Sequence, residues 1–455
     1  MYPHTARSAA FNLACVCTAT ALAIVLVPAE VQPAGAIRLP SLILAIGLMA
    51  CFLRRVVSEP VSVFDPLNIV AASPVYWLLL DTLQGTYDLT DITPTEVRGA
   101  FLAIGLFSCG VWLAAMQRPW RLPKIFQQAT EVRLTPAALF SVALVAFGLA
   151  FLRFAIPSHF DFDAMLGVLW KDRWDAPWSR GQLGGWDAFL DHLAYFGYLL
   201  PALAVLLGRA VGWFNWRTLA IIICALFVGA LFSAGGGRRI IGVMFGSAIA
   251  VWFLSARPPR LRHLLALAGL GSLLLWLLQI MLMYRGVGIG HAFRDGPDSE
   301  IESLEHIRVD DNFLRTCELV GIMPALHPHA GFKWLLWVAV RPVPRVFWPS
   351  KPVDLGFDLA SYKGMAGVSL STSLIGELYM AFGCAGCVVG GWVLGRWATS
   401  LREVLRGGPR PGALMLFGSG LLALFVGMRS GIELILMSYV LLAWVALVWA
   451  RQKMS

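Results

Sequence analysis

The sequence predicts an all-helical protein that crosses a membrane about twelve times. Of its 455 residues, 58% are hydrophobic and only 14% are charged, and the mean hydropathy is +0.71. A soluble surface requires far more polar cover than this composition provides. Apolar runs of roughly 17 to 25 residues recur along the chain, the length a helix needs to cross about 30 Å of hydrocarbon. We therefore expect a single polytopic membrane domain over residues 1–455.

The order of apolar runs and basic connectors predicts a topology. Basic connectors follow every second span, from Arg54 and Arg55 to Arg451 and Lys453. By the positive-inside rule, these connectors and both termini face the cytoplasm. The predicted spans lie near residues 11–27, 39–53, 66–84, 96–116, 135–156, 187–208, 217–233, 238–254, 264–283, 371–395, 412–428 and 431–450.

Two polar segments are long enough to form structured loops on the outer side. Residues 157–187 form the first. Residues 284–370 form a large extracytoplasmic loop between the ninth and tenth helices. The formal net charge of +9 arises mostly from the basic connectors of the topology, and the sequence contains no nucleic-acid-binding motif.

The cysteines predict neither a disulfide framework nor a metal site. All eight except Cys317 lie in apolar stretches. Cys384 and Cys387 have the spacing of a metal-binding or redox pair, but no second pair and no nearby histidine accompany them. Small residues lie between them, so close helix packing is the favoured interpretation. We predict no metal and no cofactor.

A basic, proline-rich stretch, residues 341–352, closes the large loop. Its four prolines remove backbone donors and fix φ, so neither a straight helix nor a central strand can continue through it. Arg341, Arg345 and Lys351 would therefore lie on a stiffened loop beside the bilayer. Because guanidinium pairs with phosphate in bidentate fashion, an anionic head group is the candidate ligand. A basic surface loop without a ligand is the alternative.

A second group of outer cations follows three consecutive glycines, residues 235–237. Arg238 and Arg239 would begin a helix on the outer side, where membrane insertion gives no reason for positive charge. Glycines let the backbone approach a ligand closely, and a helix N-terminus offers unpaired N–H groups. Snorkelling of both arginines to lipid phosphate is the structural alternative. Arg285, at the start of the large loop, is a further candidate cation.

The first outer segment is rich in Asp and Trp. Indole faces stack on sugar rings and polar side chains bond to their hydroxyls, so Arg173, Trp174 and Trp178 form a candidate saccharide surface. An interfacial aromatic belt explains the same residues equally well. Asp161 and Asp163 have the spacing of a metal and phosphate motif, but two acids in an acid-rich loop are a weak signal.

The large loop contains two further apolar patterns. Ile301, Leu304 and Ile307 have helical spacing, which predicts an amphipathic helix on the membrane surface or over a cavity. The run 334–340 is too short to span the membrane, and we expect it to re-enter the bilayer where it lines a cavity.

Carboxylates near the outer surface are the remaining candidates. Glu377 would lie about two turns below the outer surface, where an ionisable group is a functional candidate. An ion pair between Glu377 and an outer arginine is the structural alternative. Arg429 and Glu433 are four residues apart, and we predict a structural pair there.

Three places in the sequence resemble the Wzy-type oligosaccharide repeat-unit polymerases. These are integral-membrane enzymes that build O-antigen, capsule and exopolysaccharide chains in bacteria. The matching residues are Gly235–Arg239, Pro344–Pro352 and Gly376–Gly383, and the similarity in architecture covers most of the chain.

The resemblance implies a glycosyltransferase at the periplasmic face of the bacterial inner membrane. It would transfer a polymer from undecaprenyl pyrophosphate to the terminal sugar of another lipid-linked repeat unit. Fixed cations would stabilise the leaving pyrophosphate, and the candidates are Arg238, Arg239, Arg285, Arg341, Arg345 and Lys351. The attacking hydroxyl needs a proton acceptor, and the candidates are Asp310, Asp311, His306, His327, His329 and Glu377. A chain-length regulator and a flippase of the same pathway are the expected protein partners.

Two other functions fit a similar architecture. An O-antigen ligase uses the same lipid donor but transfers to lipid A core, and the proline-bounded stretch and the Gly376–Tyr379 segment favour the polymerase. A flippase for lipid-linked oligosaccharides performs no chemistry. It would carry its cations in a central cavity, whereas here they lie at outer helix ends and in one long loop.

Overall fold

The computed structural model describes most of the chain. The described residues are 6–86, 88–178, 189–235, 237–256, 261–284, 286–294, 306–341, 343, 347–348, 350–351, 356–365 and 370–454. All regular secondary structure within these ranges is helical. Two predicted cations, Arg285 and Arg345, lie outside the described residues, as do Ile301 and Leu304.

Ten of the described helices are long and apolar enough to cross a membrane, which confirms a polytopic helical membrane protein. They are Arg7–Val25, Pro66–Gln84, Pro94–Ala115, Pro136–Ala155, Leu190–Val211, Trp216–Ala234, Arg238–Ser255, Arg262–Met283, Ser373–Glu403 and Gly431–Lys453. Two shorter apolar helices, Gly35–Ala50 and Pro411–Gly427, occupy the other two predicted positions. A total of twelve spans therefore stays a prediction.

Shorter helices lie between the candidate spans. Lys124–Glu131 and Phe162–Gly167 precede and follow the helix Pro136–Ala155. The described part of the large loop contains four more helices, which are His291–Arg294, Asn312–Ile322, Phe332–Val340 and Leu359–Tyr362. The short helix Phe332–Val340 occupies the apolar run from which we predicted a re-entrant segment.

The predicted amphipathic helix is wrong at Ile307. The amide side chain of Gln84 bonds to both backbone groups of Ile307, with N···O distances of 3.0 Å each, and the surrounding residues are not helical. The nearby helix begins at Asn312 instead. It packs between the helices Pro94–Ala115 and Ser373–Glu403 and buries Phe313 and Cys317, so it is part of the protein core.

The helix Ser373–Glu403, which we call the glutamate helix, breaks at Gly383. This glycine has φ +63° and ψ −148°, a backbone conformation that residues with a side chain rarely adopt. In the turn before the break, the carbonyls of Met380 and Ala381 accept hydrogen bonds from Ala330 N (3.0 Å) and Gly331 N (2.8 Å). These bonds fix the chain immediately before the short helix Phe332–Val340.

Small residues let the glutamate helix pack tightly against the helix Pro94–Ala115. A Cβ atom at Gly391 would lie 2.0 Å from the carbonyl oxygen of Phe107, and one at Gly110 would lie 2.2 Å from that of Val388. Close backbone approach through glycine is typical of helix pairs in membranes. The glutamate helix is therefore a central element of the bundle.

A buried ion-pair group joins three helices at the end of the bundle opposite Glu377. Both carboxylate oxygens of Asp65 accept bonds from Arg402 Nη2, at 2.6 and 2.7 Å, and Oδ2 also accepts from Arg55 Nη1 at 3.0 Å. Asp65 Oδ1 further accepts from Leu67 N and so caps the helix Pro66–Gln84.

Candidate functional site

Five charged residues from four segments meet at one end of the bundle. Arg238 and Arg239 begin a helix, and Asp310 precedes the helix Asn312–Ile322. Arg429 lies in the turn before the last helix, and Glu433 lies in the first turn of that helix. We call these five residues the arginine cluster. The helix Gly431–Met454 is called the final helix below.

Shared carboxylates hold the arginine cluster together. Arg429 Nε lies 2.5 Å from Asp310 Oδ2, and Arg429 Nη1 lies 3.4 Å from Glu433 Oε1. Arg239 Nη1 approaches the same Glu433 oxygen to 2.8 Å, and Arg238 Nη2 lies 3.9 Å from Asp310 Oδ1. Three guanidinium groups thus share two carboxylates, which leaves one formal positive charge in excess.

The loop that carries Asp310 is fixed by side chains from neighbouring helices. Arg238 donates hydrogen bonds to the carbonyls of Arg308 and Val309, at 2.9 and 2.8 Å. Gln84 holds Ile307, as described above. Arg238 therefore positions Asp310 through the preceding backbone as well as through charge.

The arginines of the cluster remain partly open to solvent. The side chains of Arg238, Arg239 and Arg429 are 23, 29 and 23% exposed, whereas that of Glu433 is 4% exposed. Burial by itself would lower the pKa of Arg429, but the Asp310 and Glu433 carboxylates together outweigh burial and raise the pKa above its ordinary value. Arg429 therefore stays cationic, and the cluster presents fixed positive charge at its surface.

Glu377 lies beside the arginine cluster but is not paired with an arginine among the described residues. The residue is 2% exposed. Its Oε2 accepts hydrogen bonds from Trp334 Nε1 (3.1 Å) and from Gly431 N (3.0 Å). Glu377 therefore ties the short helix Phe332–Val340 to the start of the final helix, and none of the described arginines forms the predicted ion pair with it.

Two of the predicted histidines and Asp311 have partners of their own. His327 packs on Phe357 with a ring-centroid distance of 4.7 Å, and His329 Nδ1 lies 3.3 Å from the carbonyl oxygen of Met380. Asp311 Oδ2 lies 3.5 Å from Arg315 Nη2, and its side chain is 62% exposed. His306 is exposed. No ion pair joins these four residues to the arginine cluster within the described ranges.

The basic stretch folds back on itself around Lys351. This lysine is 8% exposed, and its Nζ donates to the carbonyls of Arg341 (3.2 Å) and Val343 (2.7 Å). The Arg341 guanidinium lies 5.3 Å from the ring centroid of Trp337. Lys351 therefore stabilises the turn, and Arg341 follows directly from the short helix.

The predicted saccharide surface is reduced by the burial of Trp178. This residue is 7% exposed and packs edge-to-face on Phe154 at 4.9 Å, while its carbonyl accepts from Arg153 Nη2 at 2.8 Å. Its indole therefore offers no open face for a sugar. Trp174 is 56% exposed, and Arg173 lies 4.6 Å over its ring.

The sequence brought Arg238, Arg239, Asp310 and Glu377 into consideration, but Arg429 and Glu433 were interpreted as a local pair. Their contacts to Arg239 and Asp310 are tertiary, and only their position at the start of the final helix gave a signal. Comparisons with models of known protein families, with curated proteins and with solved structures found no match to this chain.

Proposed function

We propose that this protein is an oligosaccharide repeat-unit polymerase of the bacterial inner membrane. It would join undecaprenyl-pyrophosphate-linked repeat units at the periplasmic face to form O-antigen, capsule or exopolysaccharide. One observation carries the proposal: three partly exposed arginines share two carboxylates at the end of the bundle to which the large loop belongs. The resemblance at residues 235–239 and 376–383 supports the same conclusion.

The arginine cluster suits a pyrophosphate leaving group. Negative charge grows on the bridging oxygen as the sugar–phosphate bond breaks, so donors fixed before the reaction lower the barrier most. Glu433 fixes Arg239, and Asp310 fixes Arg429, so neither guanidinium has to be ordered by the substrate. The excess positive charge of the cluster attracts the lipid-linked pyrophosphate.

Asp310 is the proposed proton acceptor. In this step the hydroxyl of the acceptor sugar forms the new C–O bond, the bond to pyrophosphate breaks, and the hydroxyl proton passes to the carboxylate. The Asp310 side chain is 22% exposed, whereas the side chain of Glu433 is 4% exposed and Glu377 is 2% exposed. Of the two carboxylates in the arginine cluster, Asp310 is therefore the one that an acceptor sugar can reach.

Reconstitution of the full chain in nanodiscs with a lipid-linked repeat unit tests this function. We expect a ladder of lipid-linked polymers and release of undecaprenyl pyrophosphate, and we expect Asp310→Asn to lose most of a factor of roughly 10² to 10⁴ in rate. Transfer only to added lipid A core would identify a ligase instead. Movement of the lipid across a bilayer without any new glycosidic bond would identify a flippase.

A further inference from the structure

Four aromatic rings lie close together near the short helix Phe332–Val340. They belong to Phe189, His192, Tyr195 and Tyr439, and we call them the aromatic cluster. Successive ring centroids are 6.4 Å apart for Phe189 and His192, 5.6 Å for His192 and Tyr439, and 5.2 Å for Tyr439 and Tyr195. The cluster joins the start of the helix Leu190–Val211 to the final helix.

The short helix Phe332–Val340 lies between the arginine cluster and the aromatic cluster. It packs against both the glutamate helix and the final helix, and Glu377 fixes its first turn through Trp334. Arg341 follows Trp334 by seven residues, which corresponds to about 10 Å along a helix. Tyr439 lies on the final helix, against which the short helix packs. The short helix therefore links the surroundings of the arginine cluster to the aromatic cluster.

The basic stretch also borders the aromatic cluster. The rings of Phe347 and Phe189 are 6.0 Å apart, and Phe347 is 64% exposed. Residues of the large loop thus contribute to the edge of this surface.

The exposure of the rings distinguishes this group from a hydrophobic core. His192 is exposed, and Tyr195 and Tyr439 are half-buried. Tyr198, which contacts Tyr195 at 5.8 Å from behind, is only 4% exposed. An interfacial aromatic belt consists of separate rings that face lipid. Three of these rings instead lie at the start of the helix Leu190–Val211, the fourth lies on the final helix, and they contact one another.

A charged pair lies next to the aromatic cluster. Arg153 Nη2 is 2.7 Å from Asp191 Oδ1, and the Asp191 side chain is 51% exposed and directly precedes His192. Within the described residues, the buried Nη1 of Arg153 has no hydrogen-bond partner. The exposed Asp191 carboxylate is therefore a hydrogen-bond acceptor next to His192 in the chain.

We propose that the aromatic cluster is a subsite for the sugars of the repeat unit. Ring faces combined with hydroxyl, imidazole and carboxylate groups recognise carbohydrate, because sugars present apolar C–H faces and a rim of hydroxyls. The identity of the ligand rests on the proposed function. An oligosaccharide held by its pyrophosphate at the arginine cluster would extend along the short helix to Tyr439 and His192.

Binding of a phosphate-free oligosaccharide tests the subsite separately from catalysis. The probe is one repeat unit, released from the host's own lipid-linked precursor, and saturation-transfer NMR on the full chain in nanodiscs gives its Kd. We expect Tyr439→Ala and His192→Ala each to weaken binding about 2- to 10-fold. The control Trp449→Ala changes an aromatic residue of the same helix that is 54% exposed, and it should bind as the wild type does.

A ring-retaining variant keeps the test decisive if Tyr439→Ala fails to fold. Tyr439→Phe should bind more tightly than Tyr439→Ala because it keeps the ring face, but more weakly than the wild type because it lacks the hydroxyl. Wild-type affinity in the Tyr439 and His192 variants, or no binding by the wild type, overturns the subsite. Binding that depends on Tyr439 in a protein without polymerase activity supports the subsite while the proposed function fails. Polymerase activity in the wild type, together with unaffected binding in the Tyr439 and His192 variants, supports the proposed function and overturns the subsite.

Discussion

At the scale of single residues, the contacts of Glu377 favour a positioning role. A carboxyl two turns inside a membrane helix predicted a catalytic group. The structure instead gives its Oε2 two donors, Trp334 and Gly431, which belong to two other helices. Because Gly431 begins the final helix that carries Glu433, Glu377 orders one side of the arginine cluster without contacting it.

Replacement of Glu377 by Gln tests this positioning role. A glutamine oxygen accepts the same two hydrogen bonds, so we expect the polymerisation rate of Glu377→Gln to stay within about 3-fold of wild type. A proton acceptor would lose most of a factor of roughly 10² to 10⁴. Glu377→Ala should lower the melting temperature, because it leaves two buried donors without an acceptor. Loss of activity at unchanged melting temperature in Glu377→Gln would show that the carboxylate reacts.

The hydrogen bond between Gly431 N and Glu377 Oε2 leaves no room for a side chain at position 431. A Cβ atom at this position would lie 2.7 Å from Glu377 Oε2, too close for any real Cβ contact. We expect Gly431→Ala to destabilise the protein by about 1–3 kcal/mol, since the buried carboxylate has to move. Unfolding in detergent measures the change. The matched control is Gly148→Ala, where a Cβ meets nothing within 4 Å, and an unchanged stability of Gly431→Ala would contradict the contact.

At the scale of secondary-structure elements, hydropathy predicted the candidate spans well but not the local breaks. Burial in lipid requires long apolar helices, and their length is readable from composition. The break at Gly383 depends on hydrogen bonds from Ala330 and Gly331, which lie some fifty residues earlier in the chain. Likewise, Gln84 holds Ile307 in a non-helical conformation, although its apolar spacing predicted a helix.

Replacement of Gly383 tests the importance of this break. Its φ of +63° is unfavourable for alanine, and a Cβ would lie 3.1 Å from His329 Nε2. We expect Gly383→Ala to cost about 1–2 kcal/mol of stability through the left-handed conformation alone. Thermal unfolding followed by circular dichroism gives the difference from wild type. Stability equal to that of Gly148→Ala would show that the helix tolerates a continuous path through position 383.

At the scale of the whole molecule, ion pairs join separate segments at both ends of the bundle. The arginine cluster joins the large loop and the final helix at one end. At the other end, Arg55 and Arg402 enclose Asp65, whose side chain is 0% exposed. The positive-inside pattern predicted basic residues at this second end, but not the acid that binds them, because a single aspartate before an apolar run gives no sign of its tertiary partners.

Removal of Asp65 should therefore destabilise the whole bundle. Asp65→Ala removes the carboxylate that pairs with the buried Arg402 and with Arg55, which keeps Glu59, and breaking a buried pair in this way costs about 3–5 kcal/mol. The control Glu403→Ala removes the partner of Arg406, whose side chain is 81% exposed, and should have little effect. Unfolding by denaturant in detergent compares the two. A similar stability for both variants would contradict the structural role of Asp65.

The rate of polymer formation by Arg239→Ala tests the central claim most directly. If Arg239 stabilises the leaving pyrophosphate, its removal should lower the rate on the order of 10²- to 10³-fold. Arg239→Lys should fall between wild type and Arg239→Ala, because lysine keeps the charge but not the bidentate geometry. Arg406→Ala, at the opposite end of the bundle, serves as the control. A wild-type rate in Arg239→Ala, with normal membrane insertion, would contradict the assignment of the arginine cluster to the pyrophosphate.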